Sequence, residues 1–295
     1  MMFQTTIGDC EISGVVEYYG PTHAPSKFPG CNAEALERHR DWLVPDYWMP
    51  HVDRFVIAIT LWVLRRGDRT ILIDTGYGNG KRRGVAHANQ LNTLTPEWLA
   101  AAGATPETVT DVVATHLHAD HVGWNTVATP AGWEPTFRNA TYHFPTADYE
   151  YFEAEYGMSP RPRRAAGFGD SVFPVMSAGQ GRLYQPGDDL PGGLSAEPSF
   201  GHTPGMMALW FETEVANGVF CADIFHHPIQ VAEPDWNSPA DIDAEASRTV
   251  RRAFLERIAD TGTMFFPCHF PPPGYGTVVR TDKGFAFVPA QAAAR

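Results

Sequence analysis

The stretch Thr115-His116-Leu117-His118-Ala119-Asp120-His121 decides how this chain is read. Three histidines and one aspartate fall within six positions, directly after the apolar run Asp111-Val112-Val113-Ala114. A strand that ends in a donor-dense loop presents several side chains to one point. Neutral imidazole and carboxylate suit zinc and its neighbours among the divalent ions. His116 and His118 can reach one ion together, while Asp120 and His121 can point to a second. Two kinds of donor in one short loop imply more than one metal, and hence a hydrolytic centre.

One ion still lacks ligands, and three candidates stand at the ends of expected strands. His202 lies in Phe200-Gly201-His202-Thr203-Pro204-Gly205, Asp223 closes the run Val219-Phe220-Cys221-Ala222, and His269 follows 263–266. Taken singly, such a histidine is more often a hydrogen-bonded core or surface residue, and such an aspartate a cap or turn. Joined to the loop, the set has few explanations other than a metal centre.

Around these residues the pattern is one of alternating strands and helices. Residues 55–64 and 70–73 form β-rich runs separated by the turn Arg65-Arg66-Gly67-Asp68-Arg69. Thr95-Pro96-Glu97 opens a helix that closes at Gly103. Residues 111–115 are a short buried strand. A second helix is capped by Thr146 and stopped by Gly157. Strands are expected at 208–211, 218–222 and 263–266, with a long helix from Ser238-Pro239-Ala240-Asp241 to about Thr261-Gly262. Segment 1–50 reads as a strand, then a surface excursion with one helix-like piece at 33–42. Residues 158–194, rich in Gly and Pro, read as a surface wander. The alternation predicts an α/β layered architecture with sheet between helices.

The chain has 295 residues, 43% hydrophobic and 19% charged, which suits a globular enzyme with a sizeable core. One domain over 1–295 is expected, with an N-terminal extension of about 1–54 contributing to a pocket or a dimer contact. The formal charge of −12 disfavours nucleic acid and anionic membranes as partners. No apolar run approaches the ~20 residues of a membrane helix. The opening Met1-Met2-Phe3-Gln4-Thr5-Thr6 shows no basic-then-apolar signal. The four cysteines, Cys10, Cys31, Cys221 and Cys268, form no Cys-x-x-Cys pair. Reduced, buried thiols in a cytoplasmic protein are the simpler expectation.

The motif series His116-x-His118-x-Asp120-His121, Gly201-His202-Thr203-Pro204-Gly205, Ala222-Asp223 and His269 resembles, in order, that of the metallo-β-lactamase superfamily. Ile71-Leu72-Ile73-Asp74-Thr75-Gly76 also resembles its early strand and turn, so the likeness runs from about 55 to 270. It implies a four-layer αββα sandwich with two divalent ions, zinc first and Fe, Mn or Co as alternatives, at one edge of the sheets. By position, His116, His118 and His202 would bind the first ion, Asp120, His121 and His269 the second, and Asp223 both. Asp74 would support the site from behind. A hydroxide held between the ions would be the nucleophile, with Asp120 orienting it or accepting its proton. His226 stands near a position where the lactonases of the superfamily place a tyrosine, and is the candidate donor to substrate; His227 is the weaker candidate.

Two departures narrow the family reading. Met206 stands where many relatives have a second histidine, and is expected to be apolar filler. Asp223, rather than cysteine, points toward the lactonase, phosphotriesterase and glyoxalase-like branches. The leading expectation is a hydrolase of a lactone or other small carboxylic ester, with Tyr18, Tyr19, Trp42, Tyr47 and Trp48 offering an apolar wall. Phosphotriester hydrolysis is the alternative. Phosphate mono- or diesters would need a basic cluster, and Lys81-Arg82-Arg83 reads more readily as a solvated turn. Iron-dependent redox chemistry, nucleic-acid processing and a scaffold role follow in that order. A homodimer through the aromatic N-terminal segment is a further expectation.

Overall fold

A computed structural model describes residues 1–158 and 166–290. Two sheets dominate it. The first runs in the order Met2–Ile7, Cys10–Pro21, Arg54–Arg66, Arg69–Ile73, Asp111–Val113, Thr141–Pro145, Gly181–Tyr184, with Trp48–Met49 paired beside Arg54–Arg66. Its pairing is antiparallel as far as Arg69–Ile73 and parallel beyond. The second runs Asp189–Leu190, Leu194–Pro198, Met207–Glu212, Asn217–Phe220, Met264–Phe266, Gly276–Thr281, Gly284–Pro289.

The layers follow from side-chain alternation along a strand. In the run Leu61-Trp62-Val63-Leu64, Trp62 and Leu64 face inward and meet Leu209, Phe211, Phe220 and Phe266 of the second sheet. Leu61 and Val63 face outward with Leu72 and pack on Leu99, Phe152 and Val175 of the covering helices. The outer face of the second sheet, through Ala208, Val219 and Phe265, packs on Phe254, Leu255 and Ile258 of the helix Ala244–Ile258. Helix, sheet, sheet, helix is the expected αββα order. A strand covered on both faces needs a continuous apolar run, and Phe55-Val56-Ile57-Ala58-Ile59 continues into this one. Trp62 is fully buried at the centre. Truncating it to alanine costs about 3–5 kcal/mol by the usual cost of such cavities.

Several boundaries differ from the sequence reading. Segment 1–50 supplies three strands rather than one, because Cys10–Pro21 finds full-length pairing on Arg54–Arg66 and the short Trp48–Met49 pairs beside it. The piece at 33–42 breaks into Ala33–Arg38, capped by the Asn32 side chain, and Arg40–Leu43. The helix expected from Ser238 starts at Ala244 on an Asp243 cap, since Asp241 is occupied elsewhere. The stretch 158–194 is not a surface wander where it is described. Phe168, Val172 and Val175 enter the core, and Gly181–Tyr184 adds an edge strand parallel to Thr141–Pro145. Residues 159–165 of that stretch lie outside the described residues. No helix among the described residues is long and apolar enough to cross a membrane.

Candidate metal centre

The strand Arg69–Ile73 ends at Asp74, a non-glycine residue with φ +55°. Aspartate tolerates that conformation better than most side chains. The turn aims its carboxylate into the neighbouring loop. Oδ1 accepts from Thr115 N at 2.8 Å, and Oδ2 accepts from Thr115 Oγ1 and His121 Nδ1, each at 2.8 Å. Asp223 follows Ala222, whose φ is +49°. For an alanine that backbone costs roughly 1–2 kcal/mol. Strain of this kind persists where the surroundings over-determine it, often at functional sites.

All seven residues singled out as ligands meet at this edge. Asp223 lies among five imidazoles, at 3.8 Å from His116, 3.3 Å from His121, 3.2 Å from His202, 3.1 Å from His226 and 3.0 Å from His269. His116, His118, His202 and Asp223 each bring one donor atom within 4.8 Å of the others, and so do Asp120, His121 and His269.

The hydrogen bonds behind the rings decide which nitrogen faces inward. His121 donates from Nδ1 to Asp74, and His202 from Nδ1 to Asp241 Oδ1 at 2.9 Å. His269 donates from Nδ1 to the Ala58 carbonyl at 3.1 Å. The Thr115 hydroxyl spends its proton on Asp74, so it accepts from His116 Nδ1 at 3.1 Å. With Nδ1 committed outward, these four rings turn Nε2 toward the centre, where His269 Nε2 donates to Asp223 Oδ2 at 3.1 Å. His118 presents Nδ1, 2.8 Å from His202 Nε2 and 3.2 Å from His116 Nε2. Among the described residues, His121 Nε2 and Asp223 Oδ1 are buried without a hydrogen-bond partner. Imidazole nitrogens and carboxylate oxygens crowded in a buried place need a proton or a cation between them. The donor set fits divalent metal, and the outer partners orient the rings as metal-binding histidines require.

The electrostatics agree. Burial opposes charge on every ring and pushes His118 down to about 3 and His116 well below the ordinary histidine value. Burial also works against His121 and His202, but the surrounding carboxylates together outweigh it, Asp223 with Asp74 and Asp120 at His121 and Asp223 with Asp241 at His202; His121 rises well above the ordinary range and His202 reaches about 9. Burial would raise Asp120 and Asp223, yet the surrounding imidazoles hold both carboxyls below their usual value. The cluster favours positive charge at its centre. His118, Asp120 and His226 are partly exposed and mark the open side.

The remaining candidates separate. His226 Nε2 stands beside Asp223 but out of line for a hydrogen bond, and neither ring nitrogen is otherwise paired. His227 is buried away from the centre. Its Nδ1 accepts from Ile229 N at 3.2 Å, its Nε2 donates to the Tyr47 carbonyl at 2.8 Å, and its ring stacks on Phe55. It fastens the N-terminal segment to the second sheet. The five aromatics do not form one wall. Trp48 is core, Tyr19 and Trp42 are exposed, and the Tyr18 ring lies tilted against His87, centroids 5.0 Å apart. Met206 is buried apolar filler, as expected.

The basic cluster is no solvated turn. Lys81 is fully buried on Thr126 Oγ1 at 2.6 Å, Ser171 Oγ at 2.9 Å and the Asp170 carbonyl at 3.0 Å, above the Trp133 ring. Arg83 grips Asp170 with both terminal nitrogens, at 2.7 and 3.0 Å. Only Arg82 is exposed. Cys221 lies on the outer face of the second sheet and Cys268 on the inner face. Cys268 reaches the site directly, its Sγ 3.4 Å from Asp74 Oδ2. Cys31 is only half-buried.

Sequence reading passed over three polar residues behind the centre. Asp241 orients His202 and was visible only as a helix-start aspartate. Arg251 is fully buried; its Nε donates to the Ile224 carbonyl at 2.7 Å, and its Nη2 stands 3.7 Å from Asp241 Oδ2. Asp148 gave no signal beyond its place in a helix's first turn.

Residues 55–269 match the sequence model of the Metallo-beta-lactamase superfamily. With its fold and site, the chain belongs to that superfamily. Among solved structures it is similar to the hydrolase AbOPH of the beta lactamase superfamily, at TM-score 0.82 and 23% identity over 99% of this chain and 98% of that one. It is similar to AidC, a dizinc quorum-quenching lactonase holding an acyl-homoserine product, at TM-score 0.79 and 21% identity over 99% and 98%. An N-acyl homoserine lactone hydrolase with N-hexanoyl-L-homoserine at its catalytic metal centre gives TM-score 0.62 and 15% identity over 92% and 100%. No curated protein sequence matches the chain.

Proposed function

We propose that this chain is a dinuclear metal-dependent hydrolase that opens a lactone or cleaves another small carboxylic ester. The observation that carries the reading is the set of four rings locked from behind so that each offers Nε2 to the centre around Asp223. His116, His118 and His202 would hold one ion, Asp120, His121 and His269 the other, with Asp223 shared. Zinc is the leading choice; the same donors accept iron, manganese or cobalt. Divalent ions bound there would supply water acidic enough to attack near neutral pH and positive charge against the attacked carbonyl.

The chain's own groups do the rest. Asp120, its Oδ2 3.7 Å from both His121 Nε2 and His269 Nε2, accepts the proton of the attacking water. His226, on the open side with unpaired ring nitrogens, donates to the leaving oxygen. The consumption of Lys81 and Arg83 by Asp170 argues for a substrate without a phosphate charge to neutralise. A neutral phosphotriester satisfies that condition too and is the second reading. The lactone reading is favoured by the two similar folds that hold acyl-homoserine products. The N-terminal segment, fastened by His227, would form one side of the pocket, and exposed Tyr19 and Trp42 would serve a homodimer. Light scattering checks the dimer.

The test is a panel of an aryl ester, an N-acyl homoserine lactone and a paraoxon-type triester, with bound metal measured by elemental analysis. Lactone or ester turnover that disappears on chelation and returns with zinc is expected. Turnover that survives exhaustive chelation rules the mechanism out.

A further inference from the structure

Helix Thr146–Met158 starts against the back of the metal loops, and Asp148 in its first turn is fully buried. Oδ2 accepts from Leu117 N at 3.0 Å and from Thr203 Oγ1 at 2.9 Å; Oδ1 accepts from Gly205 N at 2.6 Å. Leu117 separates His116 from His118, and Thr203 and Gly205 follow His202. One carboxylate thus grips both loops that carry the three rings of the first donor cluster, and it hydrogen-bonds to none of the rings.

The fit is close. A Cβ built on Gly205 would lie 2.4 Å from Asp148 N and 2.9 Å from Asp148 Oδ1, so only glycine allows the approach. Thr203 and Gly205 of the motif Gly201-His202-Thr203-Pro204-Gly205 therefore have a physical partner in Asp148. Burial pushes the Asp148 carboxyl up to about 6, although the three donors oppose the rise.

We propose that Asp148 is the positioning residue of the first ion, setting the spacing of the His116–His118 loop against the His202 loop so that three lone pairs converge. This rests on the reading that these rings hold an ion. A carboxylate accepts from all three donors at once. An amide of the same shape accepts through one atom only, and its own N–H groups confront at least one donor.

The experiment titrates metal-free, full-length protein with Zn2+ alone, by competition against a chromophoric chelator, and records the Co2+ spectrum of each form. Asp148→Asn should weaken one of the two ions 10–100-fold and shift the Co2+ bands while the other ion stays tight. Thr203→Val should weaken the same ion less, and Thr203→Ser, which keeps the hydroxyl, should restore it. Phe254→Leu, in the outer helix layer, controls for lost stability and should lower Tm without changing either affinity. Asp148→Asn holding both ions as tightly as the parent overturns the proposal, as does Phe254→Leu weakening the same ion at equal loss of Tm. A parent chain that takes up no Zn2+ overturns the metal reading itself, a result distinct from a missing Asp148 effect.

Discussion

His202 and Asp241 meet Nδ1 to Oδ1 at 2.9 Å, each side chain no more than 1% exposed. The contact places the outer proton on Nδ1 and turns Nε2 toward Asp223, 3.2 Å away. A carboxylate behind an imidazole also raises its basicity as a ligand. Asp241→Ala should therefore weaken binding of one ion about 10–100-fold. Competition titration with zinc measures it, and an unchanged affinity would show that His202 is held by other means.

Arg251 serves four acceptors at once, the carbonyls of Ile224, Pro234 and Trp236 and the side chain of Asn237, beside the Asp241 carboxylate. Removing it strands buried acceptors and leaves Asp241 without its cation. Arg251→Met should cost about 3–5 kcal/mol of stability. Arg251→Lys should recover little, because a point ammonium cannot reproduce the planar fork. Urea unfolding of the three proteins decides it.

His226→Phe should lower kcat about 100-fold or more while metal content is unchanged, because a proton donor positioned at the leaving group is worth at least that much. Elemental analysis beside steady-state kinetics separates this from metal loss. Normal turnover would remove His226 from the mechanism.

Glu17, which is outside the proposed ligand set, yields a pH prediction. Burial pushes its carboxyl from 4.5 up to about 7, against the opposing hydrogen bonds from Tyr77 N, Trp124 Nε1 and Gly78 N. The folded state thus holds this proton more tightly than the unfolded state. Its contribution is fully present below pH 4.5 and is lost as pH rises through about 7. At about 1.4 kcal/mol per unit the loss is on the order of 3 kcal/mol. Unfolding free energies from urea titration of metal-free protein at pH 5 and pH 8 should differ by that much more in the parent than in Glu17→Gln. Equal differences would remove Glu17 as the source.

The metal loop was legible because its chemistry is written locally: His116, His118, Asp120 and His121 need only one turn of backbone to converge. His202, Asp223 and His269 were legible through the strand ends that deliver them. The supporting residues were not. Asp148, Asp241 and Arg251 act across distances in sequence that no period or spacing encodes, and each has an ordinary local explanation as cap, turn or helix surface. Lys81 was misread for the same reason. A basic run looks solvated until Asp170, Thr126 and Ser171 arrive from elsewhere in the chain. The strand Gly181–Tyr184 was hidden because an edge strand four residues long carries little pattern of its own.

The loop 116–121 leaves the first sheet, whereas His202, Asp223 and His269 belong to connections of the second. The centre therefore straddles the seam of the sandwich, and a captured cation would stitch its two halves together. Loading the centre would tighten the whole edge and emptying it would loosen that edge first. Amide exchange around Thr115 and Ala222 becomes a gauge of occupancy that needs no substrate.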